Sequence, residues 1–225
     1  MRRILDPKAN PNEIITAVHG IYLKRKVIRC LEPETWLNCE TLDAYFLLLD
    51  ARAKKFGQNV MILPTHFYNS TSEPKYSFAN GLQYFHERNP LECDQVLIPM
   101  NQSGEHWVMM VVNIKKKLLQ FFDPLAQLNS KKKEQQHIRR YFEELARQSN
   151  MGALNIPLWK DVDMDEFPKQ LDNYNCGVYI IMYIEYLTGL DQEKSLNIDP
   201  TRLPWVEEQL VLDLFYKTTP SKGFV

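Results

Sequence analysis

Of the four cysteines, at positions 30, 39, 93 and 176, one has the surroundings of a nucleophile. A thiol attacks as its thiolate, and a helix N-terminus with a nearby imidazole favours that form. Cys176 stands at the expected start of a nearly all-apolar helical run, 176–187, behind the polar turn Asp172-Asn173-Tyr174-Asn175. Gly177 follows it and would let backbone approach closely, as an oxyanion hole requires. Cys30, Cys39 and Cys93 carry no helix-start signature and read as small buried hydrophobes or idle surface thiols. The base must come from elsewhere in the chain. His106 heads the apolar run His-Trp-Val-Met-Met-Val-Val, and Asp123 closes Leu-Leu-Gln-Phe-Phe-Asp. With Lys115–Lys117 as the turn, the two runs form a β-hairpin with both residues at its open end. Lys116 is ten residues from His106 and seven from Asp123, so a bulge or an offset must absorb three. Asp123 could then hold one imidazole nitrogen and leave the other for a thiol, which is the third-member role of a catalytic triad. His19, His66, His86 and His137 share no metal-ligand spacing and read as structural or surface groups.

The elements that must position these residues follow from periodicity. Thr35 is a candidate cap for a helix carrying Leu42, Tyr45, Phe46, Leu49 and Ala53 at helical spacing, ended by Gly57. Residues 59–64 and 95–99 read as strands, 68–80 as a loop, 82–87 as a short helix and 154–158 as a further strand. Residues 131–149 form an amphipathic helix with Ser130 as a plausible cap, and its lysines read as solvated helix-start residues. Gly189 ends the 176–187 helix, and Pro204 suits the first turn of a last helix over 205–216. The order predicts an α+β fold with a small, mostly antiparallel sheet flanked by helices. Residues 1–18, with Pro7 and Pro11, read as a loosely held lead-in, and 19–225 as a single domain.

Composition narrows the class. The chain of 225 residues is 44% hydrophobic and 24% charged, enough apolar side chain for a sizeable core. Its 27 basic and 28 acidic residues offer no excess positive charge for nucleic acid. No CxxC pair supports zinc, and no cofactor is expected. Charge and Pro7 break the N-terminus before any signal-like apolar stretch, and the apolar runs, 107–112 among them, are far short of a membrane span. The expectation is a soluble intracellular protein of the nucleus or cytoplasm, in a reducing setting where a lone thiol stays reactive.

With His106-Trp107, Phe122-Asp123 and Asn175-Cys176-Gly177 on the page, the chain resembles the ubiquitin-like-protein-specific cysteine proteases. This is the sentrin/SUMO protease family, of the adenain-like superfamily. Pro168-Lys169-Gln170 matches the family's Pro-x-Gln element six residues before the Cys, and Thr35-Trp36-Leu37-Asn38 looks like its Trp-Leu-Asn-Asp signature. The resemblance covers about residues 20–190 and is specific because several weak motifs keep their order and spacing. It implies a papain-like fold with the permuted triad order His–Asp–Cys. Cys176 would be the nucleophile, His106 the general base and acid, and Asp123 the orienter. Gln170 would offer its amide to the oxyanion beside the backbone N–H of Cys176. Trp36 and Trp107 would wall a narrow tunnel, through which only residues without side chains pass. The implied activity is cleavage after the C-terminal Gly-Gly of SUMO or a related ubiquitin-like modifier, in precursors or lysine conjugates, by a monomer. A same-fold acetyltransferase, a viral polyprotein protease and a non-enzymatic ubiquitin-like-protein binding module are the rivals. Cys39 stands where the family has an acid, Asn175 where it has Asp, and Pro124 where it has Ser.

Overall fold

A computed structural model describes residues 4–72, 77–85, 88–126, 131–189 and 196–219. In chain order the elements are β1 (Ile14–Val18), β2 (Ile21–Lys24), α1 (Arg25–Ile28), α2 (Cys39–Lys55), β3 (Val60–Ile62), α3 (Phe67–Thr71), α4 (Phe78–Leu82), β4 (Gln95–Gln102), β5 (His106–Asn113), β6 (Leu118–Phe122), α5 (Lys131–Gln148), β7 (Lys160–Asp163), α6 (Cys176–Leu187) and α7 (Leu203–Tyr216). They sort into two compact units, Asn59–Phe167 and the combination of Met1–Gln58 with Pro168–Val225.

The Asn59–Phe167 unit is a five-stranded mixed sheet in the order β3-β4-β5-β6-β7. The outer pairs β3/β4 and β6/β7 are parallel, and the inner pairs around β5 are antiparallel. Every residue of β5 is buried, which is why it reads as an unbroken apolar run rather than an alternating one. On one face Val108, Met110 and Val112 pack with Ile138, Phe142 and Leu145 of α5 and with Phe67 of α3. The α5 residues recur every three or four positions, so a single stripe meets the sheet. The β5–β6 hairpin forms around residues 114–117, with Asn113 opposite Leu118 and Met109 opposite Phe122. Its register is continuous, so the expected mismatch appears as an offset and not as a bulge.

Three local expectations change here. Residues 154–158 are two 3-10 turns and not a strand, because Asn155 adopts a left-handed φ of 52° and Pro157 has no N–H for a ladder. The strand β7 begins just after them. The 68–80 segment contains the end of α3 and the start of α4, and the latter replaces the helix expected over 82–87. Ser77 accounts for that shift, accepting the Asn80 N–H at 3.3 Å as a cap. Ser130 and His86 lie outside the described residues.

In the other unit, β1 and β2 form a hairpin turned by His19 and Gly20, both at positive φ. Residues 14–18 are thus a strand, tied by the Thr16 hydroxyl to the Leu214 carbonyl at 3.1 Å, and not loose lead-in. The β-branched run Ile-Ile-Thr-Ala-Val carries that preference. Asn38, not Thr35, caps α2: its Oδ1 accepts the Thr41 N–H at 2.9 Å. The Thr35 hydroxyl is committed to the carbonyls of Cys30 and Glu32. Cys39 therefore does begin a helix. Helices α2, α6 and α7 pack on one another, and α6 is buried continuously from Cys176 to Glu185.

Glu185 is the charge in that apolar helix. Its carboxylate accepts from Tyr45 Oη at 3.1 Å and pairs with Arg52 at 3.3 Å. Arg52 also donates to Thr188, and Tyr45 lies 3.1 Å from the Asp213 carboxyl. A phenol has one proton for two carboxyls, and burial pushes Asp213 up, so that group can hold the proton the arrangement needs. Among the described residues no helix is long and apolar enough to cross a membrane. Replacing Glu185 by Leu leaves the Arg52 guanidinium buried without its charge partner. We expect a loss of about 3–5 kcal/mol in urea unfolding, and a clearly smaller loss for Glu185→Gln.

Candidate active site

The imidazole half of the chemistry is built by the sheet. A three-residue connection, with Ser103 and Gly104 at φ 56° and 82°, turns β4 into β5 and leaves His106 as the first residue of the strand. Gly104 is required there by its backbone conformation. Extending the β5–β6 register places residue 125 opposite His106, so Asp123 is its diagonal neighbour on the same face. His106 Nε2 and Asp123 Oδ1 are 2.7 Å apart, with the two residues 6% and 7% exposed. The same oxygen accepts the Leu125 N–H at 2.9 Å, which fixes the carboxylate from a second side. A carboxylate only accepts, so Nε2 carries the proton, and in the neutral ring Nδ1 becomes the basic nitrogen. Trp107 follows on β5, 2% exposed.

The thiol half is built by the loop that enters α6. Cys176 is the first residue of the helix and 2% exposed. Helices leave their first N–H groups without intrahelical partners, and an anion near them is stabilised. The N-cap residue, Asn175, makes no side-chain bond to those groups. Gly177 is needed because a Cβ there would lie 2.9 Å from Leu37 Cβ, so the glycine admits Leu37. Gln170 Nε2 donates to the Asp172 carbonyl at 2.8 Å and retains a second N–H. Trp36, half exposed, donates from Nε1 to the Asn173 carbonyl at 2.9 Å, so it is fastened to the same loop. The structure thus brings His106 to Asp123, and separately gathers Cys176, Gln170 and Trp36 around residues 170–176. Among the described residues no three His, Cys, Asp or Glu side chains are grouped as metal ligands.

Two functional-looking groups escaped the sequence reading. Asp172 was only part of a polar turn, although an Asp two and three residues ahead of free backbone N–H groups is the mark of an Asx turn. Its Oδ1 accepts from Tyr174 N and Asn175 N, and its Oδ2 from Asn175 Nδ2. Glu207 of α7, 6% exposed, is pushed up to about 7 by burial and then by the Asp172 charge. Nothing in the local pattern of α7 announces that.

The chain is similar to known proteins of one family. Residues 35–208 match the family model of the Ulp1 protease family, C-terminal catalytic domain. The chain is 29% identical over 184 residues to ubiquitin-like-specific protease 1A of Arabidopsis thaliana, covering 76% of this chain and 36% of that protein. It is 24% identical over 213 residues to human sentrin-specific protease 2, covering 92% and 34%. It therefore spans about a third of the length of these curated relatives. A solved C-terminal Ulp1 protease domain in complex with Smt3, the yeast ortholog of SUMO, superposes with a TM-score of 0.79 at 17% identity, covering 96% of this chain and 91% of that one. The Chaetomium thermophilum Ulp1-like SUMO protease catalytic domain gives 0.76 at 18% identity, covering 99% and 88%. At that identity these two structures establish the fold.

Glu207 yields a pH prediction. Its carboxyl holds a proton more tightly folded than unfolded, so between about 4.5 and 7 the folded state binds more protons and stability falls as pH rises. Glu207→Gln removes that slope. In thermal unfolding the variant should match the wild type near pH 5 and exceed its Tm at pH 8.

Proposed function

Because the chain belongs to the Ulp1 protease family, we propose that it is a thiol protease that cleaves after the C-terminal Gly-Gly of SUMO or a related ubiquitin-like modifier, in precursors, lysine conjugates or both. The observation that carries this reading is the buried 2.7 Å bond between His106 and Asp123, inside a family match that also contains Cys176 at a helix start. The names of the relatives, ubiquitin-like-specific and sentrin-specific proteases, and the Smt3 complex of the yeast domain support the choice of modifier. Residues 14–225, with the β1 strand included, act as one monomeric catalytic domain without a cofactor. The small number and scatter of the four cysteines suit the reducing nucleus or cytoplasm.

In this mechanism the Cys176 thiol gives its proton to His106 Nδ1, and the sulfur attacks the glycine carbonyl carbon. Asp123 holds Nε2, fixing the tautomer and stabilising the imidazolium that forms. The oxyanion takes the Cys176 N–H and the second N–H of Gln170 Nε2. As the C–N bond breaks, His106 returns its proton to the leaving amine, leaving a thioester on Cys176. His106 then takes a proton from water, the oxygen attacks the thioester carbonyl, and as the C–S bond breaks His106 returns that proton to the Cys176 sulfur, releasing the glycine carboxyl and the thiol. Trp36 and Trp107 wall the path of the Gly-Gly tail, which would explain selection against any residue with a side chain.

The reading is tested on the nucleophile and on the oxyanion donor. A SUMO or ubiquitin-like probe with a C-terminal electrophile should label the protein once, at Cys176, and Cys176→Ala should bind the modifier without processing it. Processing by Cys176→Ala would exclude the mechanism, and transfer of acetyl from acetyl-coenzyme A in place of hydrolysis would support the acyltransferase rival. Gln170→Ala should lower kcat by about 10²–10³ with the probe adduct still forming slowly.

A further inference from the structure

The loop that carries Gln170 is tied to the helix of Cys176 at two places. At its end it runs straight into α6. At its start, Tyr183 Oη of the same helix donates to the Pro168 carbonyl at 2.5 Å. Tyr183 is buried, and its ring meets that of Tyr179 edge to face, with centroids 6.2 Å apart. Proline has no N–H, so the carbonyl is the one backbone group at residue 168 that can form such a tie. The proline ring also fixes φ, which leaves little slack between the tie and Gln170, two residues on.

The seven residues from Cys176 to Tyr183 make nearly two turns, so the two share a face of α6, about 10.5 Å apart along its axis. Helical side chains lean toward the N-terminus, so the Tyr183 hydroxyl reaches back in the direction of Cys176. One rigid helix thus sets both the sulfur and the start of the loop. Past Gln170 other bonds take over. Asp172 Oδ1 accepts the N–H groups of Tyr174 and Asn175, and the Asn173 carbonyl accepts Trp36 Nε1. The Gln170 amide itself donates once, to the Asp172 carbonyl at 2.8 Å, and its Oε1 is buried with no hydrogen-bond partner among the described residues. Its place is therefore set by the backbone beneath it.

We propose that Tyr183 is a positioning residue that holds Gln170 at the distance from Cys176 which the oxyanion needs; this rests on Cys176 being the nucleophile and Gln170 an oxyanion donor. Such a donor acts on charge that develops only as the carbonyl is attacked, so displacing it lowers kcat and spares KM. The loss has a ceiling, the factor of about 10²–10³ that removal of the donor itself costs. A hydroxyl that merely supports the fold would weaken the enzyme equally whether or not Gln170 is present.

The test uses Tyr183→Phe, which keeps the buried ring and removes the tie. With a Gly-Gly-terminated ubiquitin-like fusion as substrate, we expect kcat to fall about 5- to 20-fold and KM to stay within about twofold. On a Gln170→Ala background the same change should cost less than about twofold, because the group it places is already gone. Iodoacetamide alkylates a thiolate without forming an oxyanion, so its rate at Cys176 should stay within about twofold of wild type in Tyr183→Phe. Tyr179→Phe, which removes a buried hydroxyl with no hydrogen-bond partner among the described residues, should keep the wild-type kcat. Pro168→Ala keeps the carbonyl and frees φ. It should show a smaller loss that also vanishes without Gln170, and it carries the comparison if Tyr183→Phe does not fold. Equal losses on the two backgrounds, an unchanged kcat in Tyr183→Phe, slowed alkylation, or a matching loss in Tyr179→Phe would overturn the proposal. Gln170→Ala with the wild-type kcat would overturn the oxyanion assignment and the proposal with it. Turnover by Cys176→Ala would instead overturn the assignment of the nucleophile.

Discussion

The carboxylate of Glu185 is the constraint on which the thiol half of the molecule depends. Helix α6 is apolar and buried almost from end to end, and greasy surface alone tolerates rotation and sliding. A buried carboxylate does not, because it is stable only where Tyr45 and Arg52 meet it. Cys176 lies nine residues before Glu185 on the same helix, about 13 Å along its axis. Fixing one end of a rigid helix fixes the other. The network runs on to Asp213, so α2, α6 and α7 share a single polar lock in an otherwise apolar interior.

The imidazole half obeys a different constraint, the register of a sheet. His106 and Asp123 are not directly opposite one another. They meet as diagonal neighbours because β5 is the central strand, its hairpin is continuous, and the β4–β5 turn starts the strand at residue 106. Each half is therefore ordered by its own unit before any substrate arrives, and this ordering is what makes a proton acceptor or a nucleophile effective.

Much of this was legible in the residues. The α6 and α7 helices, the β5–β6 hairpin and the α5 stripe follow from period and punctuation. The misses share a cause. Thr35 and Asn38 are both acceptable caps, and the choice went to Asn38 because the Thr35 hydroxyl found nearby carbonyls. The strand Ile14–Val18 was hidden by its proline-rich flank, yet it had β1–β2 pairing and a bond to Leu214 to settle it. Residues 154–158 looked apolar enough for a strand, but an αL Asn and a Pro left the backbone nothing to pair.

The amino-acid sequence alone determined that a thiol, an imidazole, a carboxylate and an amide stand at Cys176, His106, Asp123 and Gln170, and the types of element that carry them, because side-chain chemistry and periodicity are properties of residue identity and spacing. Tertiary structure decided which imidazole nitrogen Asp123 takes, where Glu185 finds its partners, why Glu207 titrates near 7, and which way Asn175 points. Each of these depends on which group, remote in sequence or merely turned aside, reaches a buried polar atom first. Burial makes that competition decisive, and no local pattern records its winner.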